Sequence, residues 1–71
     1  MTKLRIYTPT IRLKDALKFS GEAENGAMAK MLIKDEKVKV NGQICTISGK
    51  QLTNGDIFEF DGAVFEIFSE Q

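Results

Sequence analysis

Hydrophobic and polar residues alternate along the C-terminal half of the chain with the period of two that is typical of β-strands. Asn41-Gly42 and Asp61-Gly62 interrupt this alternation, and both dipeptides favour the positive φ angles of two-residue hairpin turns. A third turn is indicated at Asn54-Gly55. The pattern therefore predicts two hairpins, one from strands 37–40 and 43–47 and the other from strands 57–60 and 63–68.

The first half of the chain instead repeats hydrophobic residues at i, i+3 and i+4, as amphipathic helices do. This spacing predicts a first helix over residues 12–19, followed by Gly21 in the left-handed conformation that ends many helices. Asn25 is a favourable N-cap for a second helix. The apolar stripes are Leu13, Ala16 and Leu17 on the first helix and Ala29, Leu32 and Ile33 on the second. A short strand over residues 3–7 is expected to join the sheet.

The predicted order of elements is β-α-α-β-β-β-β, an α+β fold in which two short packed helices precede a small antiparallel sheet. With 71 residues and 7.9 kDa, the chain is expected to form a single domain over residues 1–71. Four of the five Phe residues lie in the second hairpin, at positions 58, 60, 65 and 68. At least half of them must form the core of so short a chain, whereas an outward-facing ring has the surface on which some RNA-binding sheets stack nucleobases.

The composition excludes several kinds of chemistry. The chain has no His, which removes histidine-dependent acid–base catalysis and most zinc sites. Its one Cys, Cys45, lies in a predicted strand, where we expect a buried or half-buried hydrophobic role. Asp56 is expected to fix a turn, and Asp35-Glu36 to be solvated at a helix end. We therefore expect no enzymatic activity, no cofactor and no metal site, in a cytoplasmic protein without a signal peptide or a membrane span.

Positive and negative charges are distributed unevenly, although ten Lys and Arg balance ten Asp and Glu. Residues 1–50 contain all ten bases and five acids, whereas residues 51–71 contain five acids and no base. This asymmetry has two interpretations: a solvated surface whose halves neutralise each other, or an anionic partner for the first part. The candidate side chains for contacting a phosphate backbone are Arg12, Lys14, Lys18, Lys30, Lys34, Lys37, Lys39 and Lys50.

Four short motifs between residues 12 and 56 together resemble the S4 RNA-binding domain. Arg12-Leu13-Lys14-Asp15-Ala16-Leu17 is similar to the Arg-Leu-Asp-Lys-Phe-Leu segment that opens the family's first helix. The segment 25–33 is similar to its second helix, in which a small-residue turn precedes Ala-Lys/Arg-x-Leu-Ile. The segment 38–42 matches the family's Val-x-Val-Asn-Gly, and Gly55-Asp56 matches its Gly-Asp before a strand. The order and spacing of the motifs are more specific than any one motif, and stand-alone bacterial members have about this length.

The resemblance implies a non-catalytic module that contacts the phosphate backbone of structured RNA, such as ribosomal or tRNA-like RNA, through the two helices and the following hairpin. The residues that it implies for this surface are Arg12, Lys30, Lys34, Lys37, Lys39 and Lys50. Three departures lower the positive charge, and one of them is Gly26, which stands where other members have a base at the N-terminus of the second helix. The segment 47–51 keeps only Lys50 where the family has an Arg-Arg-Gly-Lys-Lys-like loop, and Glu36 stands where the family often has Gly. A Gly at that position indicates a left-handed backbone, in which a Glu side chain is mildly strained.

A second function is compatible with the same fold. A degenerate S4-like protein that contacts another protein would use the acidic C-terminal hairpin or an exposed surface around Met28 and Met31, because Met side chains adapt to varied partners. The same two side chains would equally fill the gap between the helices. We expect a monomer, although the free edge strands of a small sheet can also pair in a dimer.

Overall fold

The computed structural model describes residues 1–70 and contains two helices and seven strands over that range. In chain order, the elements are β1 Thr2–Ile6, β2 Ile11–Arg12, α1 Leu13–Phe19, α2 Gly26–Lys34, β3 Val38–Val40, β4 Gln43–Ile44, β5 Gln51–Leu52, β6 Ile57–Phe60 and β7 Ala63–Ser69. The α+β fold and the predicted order of the two helices and the other strands are therefore confirmed, and β2 and β5 are additional to that order.

The main sheet has five strands in the order β1-β7-β6-β3-β4. The hairpins β3-β4 and β6-β7 are antiparallel as predicted, and β3 also pairs antiparallel with β6. β1 differs because it pairs in parallel with β7, from Thr2 opposite Phe65 to Ile6 opposite Ser69. Parallel strands need a long crossover connection, and all the elements between β1 and β7 supply it here.

A second sheet consists of β2 and β5, which pair antiparallel with Arg12 opposite Gln51. Strands of two residues are too short to produce a recognisable alternation, so the sequence pattern does not reveal them. The pairing moves the start of the first helix from residue 12 to Leu13, because Arg12 has an extended backbone with φ −76° and ψ 146°. This sheet holds the segment before β6 against the start of α1.

Both predicted hairpin turns are confirmed. The residues of Asn41-Gly42 have φ angles of 50° and 84°, and those of Asp61-Gly62 have 51° and 84°, as a type I′ turn requires. The turn at Asn54-Gly55 is of another type, because only its glycine has a positive φ, of 92°. The amide of Asp56 donates to the carbonyl of Thr53 at 3.0 Å, which together with this glycine is typical of a type II turn.

The two helices pack on one face of the five-stranded sheet and leave its other face open to solvent. On β3, Val38 and Val40 are buried whereas Lys39 between them is exposed. The rings of Phe58 and Phe65 stack in the core with their centroids 5.0 Å apart. The buried residues are Leu4, Ile6, Leu13, Ala16, Leu17, Ala23, Ala29, Ile33, Val38, Val40, Leu52, Phe58, Phe65 and Ile67.

The four Phe residues of the second hairpin divide between the core and the surface. Phe58 and Phe65 lie in the core, which confirms the expectation that at least half of them form it. Phe60 is half-buried at the margin of the core, as is Leu32 of the second helix stripe. Phe68 faces the open side of the sheet and is 39% exposed, since side chains alternate between the two faces along β7.

Both helices end in the same hydrogen-bonded cap, the Schellman motif. The bonded amide–carbonyl pairs are Gly21 to Lys18, Glu22 to Leu17, Glu36 to Ile33 and Lys37 to Leu32, at 3.0–3.1 Å. The residue in the left-handed conformation is Gly21 after α1, with φ 88°, and Glu36 after α2, with φ 63°. The left-handed backbone expected at Glu36 is therefore confirmed.

We predict that Glu36→Gly raises the free energy of unfolding by about 0.5–1 kcal/mol, because Gly adopts this conformation without the steric cost of a Cβ atom. The matched control is Gly21→Ala at the equivalent position of α1, which should lower the free energy of unfolding by about 1 kcal/mol. Apart from its chain neighbours, no heavy atom lies within 4 Å of the position that a Cβ atom would take at Gly21, so the control measures backbone strain rather than a clash. Urea unfolding followed by circular dichroism measures both changes, and a Glu36→Gly variant no more stable than the wild type would contradict the strain.

Candidate nucleic-acid interface

Arg12, Lys14 and Lys50 come together at the start of α1, although Lys50 is distant from the other two in sequence. The amide of Leu13 donates to the carbonyl of Lys50 at 2.8 Å, and the amide of Lys14 donates to the carbonyl of Ser48 at 3.1 Å. These bonds satisfy two amides that have no partner within the helix. Together with the β2–β5 pairing, they hold the loop that carries Lys50 against the helix.

Lys14 and Lys18 lie one helical turn apart on the same flank of α1. Lys14 is half-buried and Lys18 is exposed. The ammonium of Lys18 forms a surface ion pair with Asp15, with 3.5 Å between Nζ and Oδ1. This pair compensates part of the Lys18 charge, and exposed pairs of this kind contribute only about 0.3–0.5 kcal/mol to stability.

Lys30 and Lys34 lie one turn apart on an exposed flank of α2, next to its buried residues in sequence. The helix begins at the predicted N-cap, where Asn25 Oδ1 accepts from the amide of Met28 at 2.8 Å. Met28 is half-buried against the core, whereas Met31 is 57% exposed. Of the two methionines considered as a protein-contact surface, only Met31 is therefore largely open to solvent.

Lys37 and Lys39 lie beside acidic residues. Lys39 is on the open face of the sheet, and its register partner on β6 is Glu59. Both lysines line one shallow hollow together with Glu59 and Asp61. The pairing of β3 with β6 is not a hairpin, so no local sequence signal indicates which side chains lie opposite Lys39. Two of the eight predicted cations thus lie beside acids, and the other six lie on the helices, on β2 or on the loop held against α1. These six are called the helix-side cations below: Arg12, Lys14, Lys18, Lys30, Lys34 and Lys50.

Asp56 fixes the turn before β6, as predicted. Its carboxylate accepts from the amide of Thr53 at 2.8 Å, from the hydroxyl of Thr53 at 3.3 Å and from the side-chain amide of Asn41 at 3.1 Å. Asn41 also accepts from the amide of Ile57 at 2.9 Å, which ties the β3-β4 turn to this one. Burial raises the pKa of Asp56, but the hydrogen bonds from Thr53 and Asn41 and the charge of Lys50 outweigh it, so the pKa lies below its ordinary value of 3.8.

The predicted strand 43–47 is shorter in the structure, where β4 ends at Ile44, so Cys45 lies one residue beyond the strand. Cys45 is half-buried, and its Sγ lies 3.7 Å from the carbonyl oxygen of Ile47. The carboxylates of Asp35 and Glu36 are exposed at the end of α2. Over residues 1–70, no helix has the length and hydropathy needed to cross a membrane. Within the same range, no group of three or more His, Cys, Asp or Glu side chains is placed to hold a metal ion.

Comparison with known proteins identifies the family. A family model described as the S4 domain matches residues 4–68, and the chain therefore belongs to the S4 domain family. The solution structure of YbcJ from E. coli is similar to this chain, with 30% sequence identity and a TM-score of 0.72. The match covers 96% of this chain and 87% of YbcJ, which is described as having an ALFAL motif involved in RNA binding. A search of curated proteins returns no match.

We predict that Asp56→Asn lowers the free energy of unfolding at neutral pH by about 1 kcal/mol, since it removes the charge that these hydrogen bonds stabilise on a half-exposed side chain. Because the pKa of Asp56 is lowered by folding, its contribution is present above 3.8 and is lost as the pH falls through the folded-state pKa. The difference in the free energy of unfolding between the wild type and Asp56→Asn should therefore become smaller as the pH is lowered. Urea unfolding from neutral pH to about pH 3 measures it.

The control for this experiment is Asp61→Asn, which makes the same charge change in the turn of the β6-β7 hairpin. Asn tolerates the left-handed backbone of that position as well as Asp does. Its stability relative to the wild type should vary less with pH. If the stability of the two variants relative to the wild type changed equally with pH, the hydrogen bonds of Asp56 would not be the source of the pH dependence.

Proposed function

We propose that the chain is a small non-catalytic RNA-binding module, which contacts the phosphate backbone of structured RNA through its helix-side cations. The observation that carries the proposal is the attachment of the Lys50 loop to the N-terminus of α1, which places Arg12, Lys14 and Lys50 together on hydrogen-bonded backbone. Cations on ordered backbone lose less conformational freedom on binding than cations on a mobile loop. Membership of the S4 domain family and the similarity to YbcJ support the proposal.

The candidate cations differ in how readily they can accept a phosphate. Lys18 is the one candidate that forms an ion pair with a carboxylate among residues 1–70. Of the seven unpaired candidates, five belong to the helix-side cations: Arg12, Lys14, Lys30, Lys34 and Lys50. No ion pair has to be broken at these five before a phosphate binds. Lys18 is paired with Asp15, and Lys37 and Lys39 lie beside acids. We therefore assign the main contacts to the five unpaired helix-side cations and weaker ones to the other three.

The target that we propose is recognised by its folded shape. Lys and Arg contacts to phosphates fix the position and orientation of a nucleic acid but carry no base information. Double-stranded parts of RNA are bound mainly through such contacts and through the shape of the A-form helix. We accordingly propose ribosomal RNA or a tRNA-like RNA as the partner, as the S4 resemblance implies. We further propose that the chain binds it as a monomer in the bacterial cytoplasm.

We predict that the double variant Lys30→Glu with Lys34→Glu reduces the affinity for structured RNA by about 100-fold or more, because two phosphate contacts become repulsive. The matched control is Lys37→Glu with Lys39→Glu, which makes the same change in net charge beside existing acids. It should reduce the affinity by only about threefold to tenfold. Filter binding or fluorescence anisotropy with a labelled RNA hairpin measures both affinities at fixed salt, and circular dichroism checks that both variants are folded.

The outcomes separate the two functions considered for this fold. Equal losses of RNA affinity in the two double variants would show that binding depends on the net charge of the protein and not on the helix-side cations. Unchanged binding in the Lys30→Glu, Lys34→Glu variant would remove α2 from the interface. Absence of RNA binding by the wild type at low salt would contradict the proposal, and the exposed Met31 would then become the starting point of a search for a protein partner.

A further inference from the structure

The open face of the sheet carries a second group of cations next to exposed aromatic rings. Lys3 and Arg5 alternate with two buried aliphatic residues along β1, so both face away from the helices. Phe68 on the neighbouring strand β7 is the register partner of Arg5, and Tyr7 follows the end of β1. These four residues, Lys3, Arg5, Tyr7 and Phe68, are called the open-face patch below. Neither cation belongs to the surface predicted from the sequence.

Arg5 lies between the two aromatic rings of the patch. Its Cζ atom is 5.4 Å from the ring centroid of Tyr7 and 5.9 Å from that of Phe68. The Nζ atom of Lys3 is 5.7 Å from the ring centroid of Phe68. These distances are within the range of about 6 Å over which cation–π attraction acts. The contacts therefore hold positive charge beside two π-systems that are still accessible.

The rings of Tyr7 and Phe68 are exposed and do not form part of the apolar core. Tyr7 is 75% exposed and Phe68 is 39% exposed, while the apolar core is formed on the other face of the sheet. The strands between β1 and β3 place Glu66 and Glu59 on the same open face. That face is consequently mixed in polarity, unlike the continuous apolar centre of a stable protein–protein interface.

Aromatic rings combined with cations match the chemistry of an unpaired nucleic-acid strand. Bases that are not paired stack on Tyr and Phe rings or on a guanidinium plane, and the phosphates between them are attracted by Lys and Arg. A surface of alternating rings and cations offers both contacts within one nucleotide or two. An acidic peptide would satisfy only the cations.

We propose that the open-face patch binds unpaired nucleotides of a single-stranded RNA segment, with bases stacked on Tyr7 and Phe68 and phosphates near Lys3 and Arg5. This inference extends the proposed function, because it names a second part of the RNA partner. The helix-side cations and the patch lie on opposite sides of the apolar core, and the shortest dimension of the chain is 18 Å. A structured RNA element with an adjoining unpaired strand can therefore contact both surfaces.

Two carboxylates compete with phosphate at the patch. Glu70 forms an ion pair with Arg5, and the side chains of this pair are 56% and 50% exposed, respectively. Glu66 is the register partner of Lys3. Because these acids compensate the positive charge, stacking contributes more of the affinity here than on the helix side, and binding should depend less steeply on salt.

The test is an NMR titration of the full chain with a short oligoadenylate, which has no stable folded structure. Adenine stacking shifts the ring protons of Tyr7 and Phe68 upfield, and Tyr7 is the only tyrosine of the chain, so its resonances are easily assigned. Tyr7→Leu should weaken oligoadenylate binding about tenfold. Glu70→Gln should strengthen it about threefold, because Arg5 loses its carboxylate partner. Oligoglutamate serves as a polyanion without bases.

The two surfaces are separated by measuring both ligands on both classes of variant. Tyr7→Leu should bind the RNA hairpin as the wild type does, and Lys30→Glu with Lys34→Glu should still bind oligoadenylate. If the protein binds the RNA hairpin but oligoadenylate causes no upfield shift at Tyr7 and Phe68, the proposed role of the open-face patch is wrong and the proposed function still stands. Equal shifts with oligoglutamate, or shifts with oligoglutamate alone, would also overturn that role in favour of an acidic protein ligand.

Discussion

A single apolar layer between the helix pair and one face of the sheet is the constraint on which the rest of this structure depends. All fourteen buried residues belong to this layer, and no polar or charged side chain is buried among residues 1–70. A chain of 71 residues has too little apolar surface to cover both faces of a five-stranded sheet. One face therefore stays open, and the charged side chains of the described residues are distributed between a helix side and an open side.

The hydrogen bonds that close so thin a fold also position its cations. The carbonyls of residues 48 and 50 satisfy the first amides of α1, and the same bonds place Lys50 beside Arg12 and Lys14. Asp56 and Asn41 then join the following turn to the β3-β4 hairpin. Stability and the shape of the proposed interface thus depend on the same loop. Glu36 is an exception, because the cap of α2 forms with a strained residue where Gly21 serves α1 without strain.

Local sequence signals predicted the parts of this structure that depend on neighbouring residues. The spacing of apolar residues identified both helices, the Asn-Gly and Asp-Gly dipeptides identified the hairpins, and the family resemblance indicated the left-handed backbone at Glu36. The parts that depend on distant pairing were not predicted. These include the parallel pairing of β1 with β7, the β2–β5 sheet and the position of Lys39 opposite Glu59. The sequence alone shows that Lys3 and Arg5 alternate with apolar residues along β1. It does not show that Phe68 lies next to Arg5, because that contact depends on the register between β1 and β7.

The measurement that tests the central claim most directly is the affinity of the wild-type chain for a structured RNA across a series of salt concentrations. Five phosphate contacts from the unpaired helix-side cations predict that the logarithm of the association constant falls linearly with the logarithm of salt, with a slope of about −4. A single-stranded RNA of equal length provides the comparison. Affinity that is independent of salt, or no binding to structured RNA at low salt, would contradict a module that recognises the phosphate backbone.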